Sequence, residues 1–485
     1  MIDRRRWTAL VVLCVGMLMI VLDQTIVNVA LPSIQSDLGF DQSDLAWVVN
    51  AYLIAFGGLL LLAGRLGDLI GQKRVFLGGL ALFTAASLVC GLAQSQGVLI
   101  GARFVQGVGG ATTSAVILGM IVTMFPEPRE QAKAIGVYSF VASAGASIGL
   151  LAGGVLTQAL SWHWIFFVNL PIGVAAALLA TRFVDGREGI GIRAGADVTG
   201  AVLVTGALML GVYTILEVGS YGWGSAHTLG LGAVALVLLA GFVLRQARAA
   251  TPLMPLRIFR SRNVSGANLV QMLMVAALFG MFFLGTLFMQ KVLGYSALQI
   301  GAAFLPVALL IGTLSLGFSA RLNTRFGARA TLIPGLALLL AGLLYLTRAP
   351  ADADYLGDLL PAMVLFGIGA GLSFPSLMTL AMSGATSEDS GLASGLVNTS
   401  LQVGGALGLA VIATLASTHT GNLLASGESR AEALTGGYHL AFFIGAGLAA
   451  AAIGLALALL EPAKAKPEPE IERRRTPEPA YAEGR

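Results

Sequence analysis

The sequence predicts an all-α integral membrane protein, built as two six-helix bundles with two further helices between them. Three observations carry this. Of 485 residues, 56% are hydrophobic and only 11% charged, with a mean hydropathy of +0.84, whereas soluble domains hold about 25% charged residues. Fourteen apolar segments follow one another, each close to the ~20 residues that cross a bilayer as helix. A short polar motif also recurs once, in the second half of the chain, at an offset of 256 residues.

In order, the expected spans are 8–31, 45–64, 75–94, 98–123, 133–157, 164–183, 197–218, 227–245, 264–290, 296–319, 329–347, 357–381, 392–417 and 437–460. Arg4 to Arg6 ahead of the first run resemble a signal peptide's basic start, but the run is a full span long, ends in Leu31-Pro32 and lacks a small-residue cleavage site. It is read as a retained first helix. An even count puts both termini on one side, and basic residues choose the side. Arg4 to Arg6, Arg65, Lys73, Arg74, Arg129, Lys133, the 182–193 and 245–262 clusters, Arg321, Arg325 and Arg329 all fall with the N-terminus. Only Lys291, Arg348 and Arg430 fall opposite, and Arg103 alone lies inside a span. The positive-inside rule then places both termini in the cytoplasm of a plasma membrane, that of a bacterial inner membrane. The tail after Glu461, rich in Pro, Glu, Lys and Arg, is expected to be disordered.

The recurring motif is Arg-Leu-Gly-Asp-Leu-Ile-Gly-Gln-Lys-Arg at 65–74 against Arg-Leu-Asn-Thr-Arg-Phe-Gly-Ala-Arg at 321–329. Arg65, Leu66, Gly71 and Lys73 match Arg321, Leu322, Gly327 and Arg329. The duplication divides the chain into an N-terminal bundle (1–184), an inserted hairpin with a cytoplasmic linker (185–263), a C-terminal bundle (264–460) and the tail (461–485). Such duplicated bundles are the usual build of secondary transporters, with the site at the repeat interface.

Composition also excludes several function classes. The formal net charge of +4 is spread in short clusters, so no nucleic-acid partner is expected. Cys14 and Cys90 both sit in spans and form no disulfide or metal-ligand spacing. His163, His227, His419 and His439 map near the outer face without ligand spacing. With no convergent nucleophile, metal cluster or phosphate loop, neither enzyme activity nor a cofactor is expected, and no sizeable soluble domain is present to make a sensor.

Asp23, inside the first span, is the residue that most needs a function, because a carboxylate at mid-membrane costs about 3 kcal/mol on insertion scales. It lies about 100° from Gln24 and about 140° from Asn28 on a helix, giving one broad polar face. A proton-coupling group is the favoured reading, a carboxylate paired purely for packing the competing one. In the fourth span Arg103, Gln106, Gly107, Gly110 and Ser114 share a face, placing a guanidinium and an amide beside small residues. Gly145, Gly149, Gly153 and Gly154 form a close-packing ridge on the fifth span. In the 64–74 loop, glycines including Gly71 suit a tight reversal, Asp68 suits a helix N-terminus, and Arg65, Lys73 and Arg74 suit helix C-termini or phosphates. Gly391, Gly395, Asn398, Gln402 and Gly405 fall within about 80° on the thirteenth span, so Asn398 and Gln402 either line a cavity or bond between helices. The ninth span is dense in Met and Phe, of which most are read as lipid-facing bulk and some as an adaptable pocket. Glu217 is read as an interfacial acid.

Together these stretches resemble the major facilitator superfamily, and within it the fourteen-helix drug:proton antiporters. The resemblance rests on Leu22 to Pro32, the 64–74 loop, Arg103 to Gly110, Ala146 to Gly154, Trp162 to Pro171 and Asn398 to Gly405, and covers about residues 8 to 460. It implies a major facilitator fold and proton-driven multidrug efflux by alternating access, exporting amphipathic drugs, dyes or secondary metabolites from a monomer. It further implies that Asp23 takes part in proton coupling or cation recognition and that Arg103 assists protonation. Asp68 and Arg65 would latch the cytoplasmic side, and the fifth-helix glycines would favour exchange over uptake. Leu150 stands where the family pattern has Pro, and His163 and Leu401 stand where Arg is common.

Overall fold

The computed structural model describes residues 2–186, 188, 189, 191, 197–250, 252–254, 256–383 and 390–461. Its regular elements are all helices: α1 Ile2–Leu38, α2 Gln42–Ile70, α3 Gln72–Gly91, α4 Gln96–Met124, α5 Pro128–Ala159, α6 Trp164–Phe167, α7 Asn169–Phe183, α8 Val198–Leu216, α9 Val218–Tyr221, α10 Ala226–Arg248, α11 Arg262–Lys291, α12 Ala297–Thr313, α13 Ser319–Phe326, α14 Ala328–Leu346, α15 Leu360–Met382, α16 Ser390–Ala425 and α17 Arg430–Leu459. Among the described residues twelve helical stretches are long and apolar enough to cross a membrane, and Ile148–Ala159 and Ala297–Thr313 are shorter apolar ones. No strand occurs among them. Most of the expected tail, from residue 462, lies outside the described residues.

Two expected boundaries move. The first helix does not stop at Leu31-Pro32 but continues to Leu38 with Pro32 inside it. Proline cannot donate to the carbonyl one turn back, at Asn28, a lost bond that a helix packed within a bundle tolerates. The 64–74 segment is mostly helix rather than loop: Gly64, Arg65, Gly67 and Asp68 belong to α2, and the reversal falls on Gly71 alone. Gly71 has φ 99° and ψ 130°, backbone that a Cβ disfavours. Gly67 is instead a packing glycine, facing Val116 of α4.

The sequence repeat is also a repeat of geometry. Gly327, 256 residues on, has φ 90° and ψ 148° and separates α13 from α14 as Gly71 separates α2 from α3. Lys73 Nζ donates to the Thr181 carbonyl at 2.9 Å, near the end of α7. Arg329 Nη2, at the matching position, donates to the Leu457 carbonyl at 2.8 Å, near the end of α17. Each cation thus meets carbonyls at a helix C-terminus, where the helix dipole favours positive charge. The close packing repeats as well. Gly79 of α3 lies against Gly109 and Thr113 of α4, and Gly335 of α14 lies against Gly369 and Ser373 of α15. Without a hydrophobic drive between helices in lipid, such small-residue contacts carry much of the association.

The inserted pair, α8 and α10, packs as a hairpin, and α8 touches α2 of the first half and α16 of the second. Thr414 Oγ1 of α16 donates to the Ile215 carbonyl at 3.1 Å, and Thr205 seats against Gly58. Asp197 caps α8 at its N-terminus, accepting from the Gly200 N–H (2.9 Å). It also accepts from Arg245 Nε (3.0 Å) and Gln246 Nε2 (2.8 Å) at the end of α10. Burial alone would raise the Asp197 carboxyl, but the Gly200 N–H, the Gln246 amide and the Arg245 guanidinium outweigh it and hold it below its ordinary range. The Met and Phe of the ninth span are not lipid-facing, contrary to expectation: Met274, Met281, Phe283, Phe288 and Met289 are all buried. Helix α11 is largely interior, packed by α16, α17 and α15, so most of its bulky apolar groups meet protein.

The shared positive-φ hinge gives a matched pair of predictions. Gly71→Ala and Gly327→Ala should each lower the apparent melting temperature of the detergent-purified protein, at a cost of about 1 kcal/mol or more. Gly97→Ala, at a helical position with open space where the Cβ would sit, should leave it unchanged.

Candidate transport site

Asp23 and Arg103 are brought together, and both are shut off from solvent, with 0% and 1% of their surface exposed. Helix α1 delivers the carboxylate and α4 the guanidinium, whose Nη1 donates to Asp23 Oδ2 at 2.6 Å. The other carboxylate oxygen, Oδ1, accepts from Gln106 Nε2 (2.7 Å) and Asn169 Nδ2 (2.9 Å). Arg103 Nη1 also donates to Gln106 Oε1 at 2.7 Å, and Nε to the Val48 carbonyl at 2.9 Å. The guanidinium carbon stands 4.3 Å from the Tyr52 ring centroid, a cation–π contact. Ser87 Oγ accepts from Gln106 Nε2 at 2.8 Å, and the Cys90 thiol lies 3.7 Å from Gln106 Oε1.

One carboxylate therefore ties together α1, α4 and α7, and through Arg103 and Gln106 also α2 and α3. The fifth helix closes the remaining side of α1. Gly145 meets Leu18 and Val21, Gly149 meets Thr25 and the Leu22 carbonyl, and Gly153 meets Ile26, so the glycine ridge lies along the turns flanking Asp23. Gly154 reaches across to Ala297 and Leu298 of α12 in the other half. With Leu150 in place of proline, α5 runs unbroken, and the Leu150 carbonyl packs on Gly301.

The single broad face expected of α1 is split in three. Asp23 turns to α4 and α7, Gln24 donates to the Tyr52 hydroxyl at 3.4 Å, and Asn28 Nδ2 bonds the Gln24 carbonyl of its own helix at 3.1 Å. Asn28 therefore does not join Asp23: an i→i−4 bond to the backbone occupies its amide. On α4, Gly107 and Gly110 seat against Tyr52, Ala55 and Phe56 of α2, while the Ser114 hydroxyl is buried without a partner among the described residues.

Helix α16 meets α2 along a seam where Gly395 faces Leu61, Gln402 faces Gly57 and Gly405 faces Leu53. Asn50 lies within about 20° of Gly57 and Leu61 on the same stripe of α2. Asn50 is fully buried, and neither of its amide atoms has a hydrogen-bond partner among the described residues; Gln402 Oε1 and Thr399 Oγ1 are in the same position. Asn398 is exposed on this helix. Around the Gly71 reversal Asp68 is exposed rather than set against a helix N-terminus, Arg65 is half-buried and Arg74 exposed. Among the described residues no three His, Cys, Asp or Glu gather as a metal site.

The sequence profile of the Major Facilitator Superfamily matches residues 13–409, most of the chain. The chain belongs to that superfamily. Among its superfamily relatives, the puromycin resistance protein pur8 of Streptomyces alboniger is 40% identical over 91% of this chain and 89% of its own length. The cephamycin export protein CmcT of Amycolatopsis lactamdurans is 41% identical over 85% of each. Among solved structures, a bacterial homolog of the human lysosomal transporter Spinster superposes with a TM-score of 0.66. At 15% identity over 94% of this chain and 98% of that one, it establishes the shared fold.

Sequence reasoning missed Asn169, Ser87 and Tyr52 as members of the site. Asn169 and Ser87 are polar residues within apolar segments, which is the one signal that marks them. Removing Arg103 leaves a buried carboxylate without its counter-charge, so Arg103→Ala should destabilise the purified protein by about 3 to 5 kcal/mol. Asn169→Ala removes one of three hydrogen bonds and should cost about 1 to 2 kcal/mol. Apparent melting temperatures of the two variants in detergent check the order.

Proposed function

We propose that this protein is a proton-driven exporter of amphipathic small molecules, cationic or aromatic, and that it works by alternating access. The observation carrying this is the Asp23 carboxylate, fully buried at membrane depth and bonded to Arg103, Gln106 and Asn169. The fourteen-span arrangement with both termini in the cytoplasm of the plasma membrane, the division into two bundles with an inserted hairpin, and a monomeric, cofactor-free transporter belong to the same proposal. An arginine stays charged at any working pH. Adding a proton to Asp23 therefore leaves Arg103 as an uncompensated cation in a water-poor site, and the helices it bonds must rearrange to solvate it. Deprotonated Asp23 favours substrate capture from inside, and protonation from outside favours release. Asn50, the Thr399 hydroxyl and Gln402 Oε1, buried without hydrogen-bond partners among the described residues of the α2–α16 seam, supply polar contacts for a substrate or for the opposite conformation. Arg65, Asp68, Gly71, Lys73 and Arg74 act as the hinge and inner closure of the first half.

A second reading, export of a single metabolite, is favoured by the relatives themselves, named for puromycin and for cephamycin. A panel of unrelated toxic compounds in cells lacking other pumps separates the two: resistance to many supports the first reading, resistance to one the second.

Asp23→Asn keeps the shape and removes the titration. In everted vesicles loaded by a pH gradient, transport of ethidium, a cationic aromatic dye, should fall to the level seen without a gradient; gradient-driven transport persisting in this variant would remove Asp23 from the coupling role. Gln402→Ala, losing one polar contact of about 1 kcal/mol, should raise the half-saturating dye concentration about fivefold with coupling intact.

A further inference from the structure

Two of the three basic residues on the outer side, Lys291 and Arg430, are far apart in sequence yet line one cleft of about 330 Å³ with Ala431 and Leu434. That volume lies at the lower end of the range of small-molecule sites, about 300 to 1,000 Å³. Lys291 ends the apolar span of α11 and Arg430 begins that of α17, so both stand where the hydrocarbon gives way to headgroups. Neither makes a hydrogen bond or ion pair with a described residue. Two acids lie two residues from Arg430 in sequence: Glu428, which forms no ion pair with it, and Glu432, which is engaged with Ser429, accepting from its N–H at 3.2 Å in the N-terminal cap of α17. Two like charges facing one cleft repel each other. Arg430 also sits in the first turn of a 30-residue helix, the end whose dipole disfavours a cation and favours an anion.

Below the cations the seam turns apolar. Leu434 and Tyr438 follow Arg430 at successive turns of α17, and the Tyr438 ring meets Phe288 of α11 edge-on, with centroids 5.8 Å apart. Two cations beside the apolar Ala431 and Leu434, at headgroup level, match a phosphodiester with acyl chains beneath it.

We propose that the α11–α17 cleft binds the phosphate of an anionic phospholipid in the outer leaflet, with Lys291 and Arg430 as its ligands. The site is separate from the Asp23 pair and does not depend on proton coupling; its placement in the outer leaflet rests on the proposed orientation. Native mass spectrometry of the detergent-purified full chain, titrated with phosphatidylglycerol or phosphatidylcholine, tests it. The wild type should hold phosphatidylglycerol more tightly, and each of Lys291→Gln and Arg430→Gln should weaken that binding about fivefold. Arg348→Gln, which removes the third outer cation away from the cleft, should leave it unchanged. Binding by the double variant equal to wild type, or an equal loss in Arg348→Gln, overturns the proposal. Displacement of the lipid by millimolar inorganic phosphate, with the same dependence on Lys291 and Arg430, assigns the cleft to a free anion and overturns the lipid assignment. Both exposed substitutions should leave the apparent melting temperature unaltered, which separates lost binding from lost fold.

Discussion

The charge on Asp23 cannot be left alone at membrane depth, and most of the N-terminal half is arranged around that constraint. Arg103 supplies the counter-charge, Gln106 and Asn169 fill the second carboxylate oxygen, and Ser87 orients Gln106 from below. Because these groups come from α1, α3, α4 and α7, with Val48 of α2 accepting from the guanidinium, one pair of charges fixes the relative placement of five helices. A buried pair is a weak source of net stability, since desolvation offsets much of the attraction. Under the proposed proton coupling its value is conditional: removing the charge on Asp23 would leave Arg103 without its partner, which suits the pair to act as a switch.

The second half repeats the frame without the charge. Gly71 and Gly327 share a backbone conformation, and Lys73 and Arg329 cap equivalent helix ends. Yet the position 256 residues beyond Asp23 is Phe279, which packs against Gly405. The duplicated elements are those that set helix reversal and close approach, and the chemistry was kept on one side only. That asymmetry leaves the seam between halves, where α2 meets α16, to polar but uncharged groups: Asn50, Thr399 and Gln402.

Much of the fold was legible because apolar run length reports directly on membrane crossing. Boundaries were less so. Pro32 reads as a stop, but a transmembrane helix passes through it, and the glycines of 64–74 read as a loop when only Gly71 turns the chain. Asp23 and Arg103 stood out because charge inside a span is costly and rare; Asn169 and Ser87 did not, because their significance lies in which helix faces them. Asn28 shows the same limit from the other side, since a helical wheel places it near Asp23 but cannot tell that its amide bonds its own backbone. The Met and Phe of α11 looked lipid-facing because apolar composition does not distinguish lipid from protein as a neighbour.

The most direct test of the central claim is to count protons released when substrate binds. Detergent-purified protein in weakly buffered solution, started from the form in which Asp23 carries a proton, should release that proton on adding a dye that it exports, and the Asp23→Asn variant should bind the dye without releasing one. Equal proton release by the two proteins would place the exchanged proton elsewhere and contradict the account.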